Sequence, residues 1–121
     1  MRQIMKVTIY HNPRCSKSRQ TLALLRERGV DPEVIEYLKT PPDKATLESL
    51  LEALSIPASG LVRTGEPEYR ELGLATAGTT ESHLVDAMVE HPRLIQRPIV
   101  ICGGQARLGR PPEQVLEIIP E

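Results

Sequence analysis

Cys15 stands in Tyr10-His11-Asn12-Pro13-Arg14-Cys15-Ser16-Lys17-Ser18-Arg19, where strand-forming residues give way to helix-forming ones within a few positions. A helix start offers free backbone N–H groups and the positive end of the helix dipole, and both favour an anion such as a thiolate. At an ordinary pKa only about 3% of a free thiol is ionised at neutral pH. A helix N-terminus with nearby cations brings that pKa into roughly the 3.5–7.5 range, which makes the thiolate a major form. Arg14, Lys17 and Arg19 supply cations. Ser18 lies one helical turn from Cys15, so its hydroxyl is expected to donate a hydrogen bond to the sulfur. Because position 18 is Ser, the C-x-x-S segment closes no local disulfide, and a second thiol must come from elsewhere. Cys102 is the one other cysteine, and it ends an apolar run where a small buried residue is expected.

The elements that hold this loop can be read from period and punctuation. Val7 to Tyr10 are β-branched or aromatic and predict a strand, which Asn12-Pro13 ends. Ser18, Leu22, Leu25 and Gly29 recur at helical spacing. Glu33 to Leu38 predicts a second strand, Asp43 an N-cap, and Leu47, Leu50, Leu51 and Leu54 the apolar face of a second helix. Broken helical signals follow around Ala58–Arg63 and Glu66–Leu72. A longer helix is predicted over Glu81–Glu90, opened by Thr79-Thr80, with Leu84, Val85, Met88 and Val89 on one side. Arg97–Cys102 predicts a strand, Gly103-Gly104 a tight hairpin and Ala106–Leu108 its partner. A closing helix near Pro111-Pro112-Glu113 is expected to bury Val115, Leu116 and Ile119. The order β-α-β, helices, β-β-α implies a mixed sheet.

Composition narrows the function classes. The chain has 121 residues, the size of one domain. Three tyrosines are its only aromatic residues, so it lacks the stacking platforms of a single-strand nucleic-acid binder. Its 15 Lys and Arg nearly balance 16 Asp and Glu, leaving no global field for nucleic acid or an anionic membrane. Recognition of an anion must be local. Met1 to Lys6 lacks a signal-peptide core and no run approaches a membrane span, so a cytoplasmic location is expected. Two cysteines and three scattered histidines predict no metal site.

The chain resembles the glutaredoxin-coupled arsenate reductases and their uncharacterised close relatives from Val7 to Pro120. The resemblance is carried by His11-Asn12-Pro13 with Cys15 and Ser18-Arg19, by Tyr37-Leu38 with Thr40-Pro41-Pro42, and by Arg63. Glu71-Leu72-Gly73-Leu74, Arg97-Pro98-Ile99-Val100, Gly109-Arg110-Pro111 and Val115-Leu116-Glu117-Ile118 extend it. It implies an α/β, thioredoxin-like fold in a single domain, 1–121. A mixed four-stranded sheet then carries a helical insertion, about 43–92, between the β-α-β and β-β-α halves.

The implied activity is reduction of arsenate to arsenite, with Cys15 as nucleophile and Arg63, Arg97 and Arg110 binding the oxyanion. His11, Asn12 and Ser18 support the loop, and a cis Pro98 lies beside the cysteine. Glutathione is the implied co-substrate and glutaredoxin the protein partner, with no bound cofactor. Guanidinium forks suit the oxygens of a tetrahedral oxyanion, whose charge otherwise repels a thiolate. Read from the residues alone, Arg63 equally serves a helix C-terminus, Arg107 competes with Arg110, and His11 equally makes a structural hydrogen bond.

Arg14 and Lys17 depart from the small neutral residues that flank the cysteine in established reductases of this type, and they resemble the uncharacterised branch. One rival is therefore another glutathione-dependent thiol oxidoreductase. A second is an Spx-like regulator that binds RNA polymerase, although those regulators typically switch through C-x-x-C. A third, a phosphatase-like anion trap, needs C-x5-R, and after the five residues that follow Cys15 the arginine's place is taken by Thr21.

Overall fold

The computed structural model describes residues 6–76 and 78–119. Met1 to Met5, where a signal-peptide core is not expected, and Pro120 at the end of the resemblance lie outside the described residues. Two compact units divide the chain, Met1–Thr40 with Arg97–Glu121, and Pro41–Gln96.

In the first unit β1 (Val7–His11) leads into α1 (Ser16–Glu27) and β2 (Glu33–Glu36), and the chain returns as β3 (Ile99–Cys102) and β4 (Gln105–Leu108). The sheet order is β2-β1-β3-β4. β2 runs parallel to β1, while β3 is antiparallel to both β1 and β4. This is the mixed sheet the element order predicts, in the thioredoxin-like α/β arrangement. Gly103 and Gly104 both have positive φ, 59° and 82°, the backbone a two-residue hairpin of this hand needs and L side chains resist. Val7 and Ile9 of β1 and Val100 and Cys102 of β3 share one sheet face. They pack with Leu25 of α1 and with Val115 and Ile118 in the core.

Two elements differ most from the sequence reading. β2 stops at Glu36, because the Lys39 and Thr40 N–H groups turn back to the Glu36 carbonyl. The closing helix is 3-10, Pro112–Ile118, and not an α-helix. Its three-residue period buries Pro112, Val115 and Ile118, so Ile118 takes the buried place expected for Leu116.

The second unit is helical. Asp43 caps α2 (Lys44–Leu54) by accepting from the Thr46 N–H at 2.8 Å, and Leu47, Leu50 and Leu54 are buried. A 3-10 turn at Ala58–Gly60 and α3 (Pro67–Glu71) follow. Thr80 caps α4 (Glu81–Glu90), which buries Leu84, Val85, Ala87 and Met88. Val89, expected on that face, is only half-buried. Val62 bridges Ile95 in antiparallel fashion.

Candidate functional site

The sequence-predicted residues of the first unit converge on one end of β1. Asn12 forms the turn after β1: its carbonyl accepts from the Cys15 N–H at 3.0 Å and its Oδ1 from the Arg14 N–H at 2.9 Å. That Asx turn delivers Cys15 as the N-cap of α1, in extended conformation, with its carbonyl accepting the first helical bond from Arg19. The sulfur is partly exposed.

Ser18 does something other than the sequence predicts. Fully buried, it places Oγ 2.6 Å from His11 Nδ1 and accepts from the Asn12 N–H at 3.0 Å. Spacing along α1 says nothing about a partner arriving from the end of β1, and His11 is that partner. Burial lowers the His11 pKa from its ordinary value, aided by the Arg26 and Arg19 charges and opposed by Glu36. A neutral ring in a buried contact is the result.

The thiol is tuned by opposing effects. Burial pushes the Cys15 pKa up, but the Ser18 backbone N–H, the hydrogen bonding and charge of Arg97, and the Lys17 backbone N–H together hold it below its ordinary value. The sulfur closes no formal capping hydrogen bond, so these N–H groups act as aligned dipoles at the helix start. Arg110 adds a long contact, Nη2 to Sγ 3.8 Å.

Both arginines come from the returning half of the unit. Arg110 Nε donates to the Arg97 carbonyl at 2.8 Å, and the Arg97–Pro98 and Arg110–Pro111 peptides are both cis. Arg97 Nε is buried and has no hydrogen-bond partner. Arg107, the competitor for Arg110, is engaged elsewhere: its Nε pairs with Glu117 at 2.9 Å and its Nη1 donates to the Ala106 carbonyl. Arg14 and Lys17 are exposed.

Arg63 belongs to the helical unit. Its N–H donates to the Leu94 carbonyl at 2.7 Å, its Nη1 to Gln96 at 3.0 Å, and its Nε stands 3.9 Å from Glu66. Cys102 pairs with Val7, at the opposite end of β1 from His11. At about 3.4 Å per strand residue, four residues separate the two ends by about 14 Å, twice the Cα separation a disulfide tolerates. Burial raises the Cys102 pKa. Cys102 is therefore a buried, packed thiol at the far end of β1 from the Cys15 loop. Among the described residues no group of three or more His, Cys, Asp or Glu side chains is placed to hold a metal ion, and no helix is long and apolar enough to cross a membrane.

Sequence reasoning passed over Thr21 and Gly109 as parts of this site. Thr21 is fully buried on α1, and a Cβ on Gly109 would overlap its Oγ1. The available signal was the glycine immediately before Arg110.

The sequence profile of the ArsC family matches residues 10–118. Over 115 residues the chain is 57% identical to the uncharacterized protein YfgD of Escherichia coli K12, covering 94% of this chain and 97% of that one. It is 46% identical to an arsenate reductase of Escherichia coli K12, over 95% of this chain and 82% of that enzyme. The solved structure of an arsenate reductase from Vibrio cholerae superposes with a TM-score of 0.94 at 52% identity, covering 97% of this chain and all of that one.

Proposed function

The chain belongs to the ArsC family, and from that premise we propose that it reduces arsenate to arsenite with Cys15 as the nucleophile. The observation that carries this reading is the thiol at the start of α1 with Arg97 and Arg110 beside it, Arg110 Nη2 lying 3.8 Å from Sγ. A thiolate approaching an oxyanion of about two negative charges meets strong repulsion unless cations neutralise the oxygens. Two guanidinium groups supply that charge and forked donors at the same time.

In this mechanism the Cys15 thiolate attacks arsenic(V), an S–As bond forms, and one arsenate oxygen leaves as water after protonation. Glutathione then attacks the Cys15 sulfur. The S–As bond breaks with its electron pair left on arsenic, which departs as arsenite, and Cys15 is left in a mixed disulfide with glutathione. Glutaredoxin reduces that disulfide and restores the thiol. An external second thiol agrees with Ser18 at the C-x-x-S position and with the distance to Cys102. His11, Asn12 and Ser18 hold the loop, and the cis Pro98 follows Arg97, whose guanidinium acts on the thiol. The assignment of Arg63 to the oxyanion rests on its motif alone. Use of glutathione as the reductant agrees with a cytoplasmic reaction.

Exposed Arg14 and Lys17 favour a second reading, a glutathione-dependent reductase of another anion or of a mixed disulfide. One assay separates the two. NADPH oxidation coupled through glutathione reductase, glutathione and glutaredoxin is followed with and without arsenate, and arsenite is quantified. Stoichiometric arsenite supports the first reading, and an arsenate-independent rate with a disulfide substrate supports the second.

A further inference from the structure

α1 begins with Cys15 as its N-cap and carries Thr21 in its second turn, and Thr21 is wedged against the segment that ends in Arg110. Thr21 is 0% exposed, with its hydroxyl donating to the Lys17 carbonyl at 2.8 Å, so its rotamer is fixed. Opposite it lies Gly109, whose N–H donates to the Pro98 carbonyl at 3.0 Å. A Cβ at position 109 would overlap Thr21 Oγ1, approach Pro98 Cγ to 2.7 Å and Thr21 Cγ2 to 3.1 Å. Gly109 shows no positive φ, so its own backbone conformation does not demand glycine. Close approach does.

We infer that Gly109 is a positioning residue for the thiol site: its missing side chain lets the Arg110 backbone close onto α1 and onto Pro98. Cys15, Arg97 and Arg110 are thereby locked at their working separation. Three elements meet at this contact. α1 contributes Thr21 and, at its start, Cys15. The cis-proline segment contributes Pro98 and, one residue earlier, Arg97. The strand exit contributes Gly109 and, one residue later, Arg110. The Arg110 Nε bond to the Arg97 carbonyl ties the last two together. A side chain at 109 must push Thr21, Pro98 or its own backbone away, since interiors this dense have no slack. Each of those displacements moves at least one guanidinium off the sulfur.

The thiol arm of the test is independent of the proposed reaction, and only its kinetic arm rests on it. The pH dependence of Cys15 alkylation by iodoacetamide is measured for Gly109→Ala and for Gly109→Ala with Thr21→Ala, each checked for native circular dichroism. The single variant is expected to raise the alkylation pKa and lower kcat/KM for arsenate by tenfold or more. The double variant, which removes Oγ1 and Cγ2 but leaves Pro98, is expected to recover part of both. Should Gly109→Ala fail to fold, Thr21→Val presses the same gap from the helix side and is expected to raise the alkylation pKa by a smaller amount. A wild-type alkylation profile in a folded Gly109→Ala, no recovery in the double variant, or, in that fallback, no shift in Thr21→Val would overturn the inference. A shifted thiol pKa in a protein with no arsenate turnover would leave the positioning intact and sink the arsenate reading instead.

Discussion

Arg110 is fastened to Arg97 before either meets the thiol: its Nε donates to the Arg97 carbonyl at 2.8 Å, leaving Nη2 to reach Cys15 Sγ at 3.8 Å. One nitrogen positions the side chain and another is left for the site. Arg110→Ala removes both functions, and kcat/KM for arsenate is expected to fall about 10²-fold, the usual loss when one charge-stabilising donor is deleted. Arg107→Ala is the control. Its partner Glu117 is exposed, so it is expected to cost about 0–1 kcal/mol in urea unfolding and to leave kcat/KM near wild type.

Arg97→Ala tests the electrostatics of the thiol. With the guanidinium gone, burial works against fewer opposing effects, and the Cys15 pKa rises toward or above its ordinary value. Alkylation by neutral iodoacetamide needs the thiolate, so its rate falls as pH drops through that pKa. The wild-type profile is expected to lose rate at lower pH than the variant profile does. Superimposable profiles would remove Arg97 from the account.

Much of this geometry was legible in the sequence. Asp43 and Thr80 cap their helices because short oxygen-bearing side chains just before an apolar period do so locally. Gly103-Gly104 likewise dictates its own hairpin. What was hidden depended on contacts between distant segments. Helical spacing points the Ser18 hydroxyl at the sulfur, whereas the end of β1 brings His11 to 2.6 Å and takes it. The sequence of the closing helix suits an α period as well, and only its packing on β4 and α1 selects the 3-10 period that buries Ile118. Gly109 carries no periodic signal at all. Its constraint comes from Thr21, 88 positions earlier in the chain.

His11 makes stability depend on pH. Its pKa is lowered in the folded state, so between that value and the ordinary 6.5 the unfolded chain binds more protons. Stability from this group is fully present above about pH 6.5 and is lost as pH falls through the folded pKa. Urea unfolding at pH 7 and pH 5 is expected to show a decline that His11→Asn reduces, with the variant less stable at pH 7 through the altered bond to Ser18. An equal decline in both proteins would mean that other groups carry it.

Cys102 is expected to be a packing residue. Cys102→Ser places a hydroxyl in an apolar core and is predicted to lower stability by about 1–3 kcal/mol while most of the activity remains. Mild oxidation of the wild type is expected to yield no Cys15–Cys102 disulfide by mass spectrometry. Such a bridge would require β1 and β3 to separate.

Cys15→Ser tests the central claim most directly. Serine is a good N-cap, so α1 and the fold should survive the change, and circular dichroism checks that they do. The measurement is arsenate-dependent NADPH oxidation in the glutathione, glutathione reductase and glutaredoxin assay, wild type against variant. The account predicts arsenate-dependent turnover with arsenite formed by the wild type and none above background by Cys15→Ser. Retained turnover in the variant would contradict it.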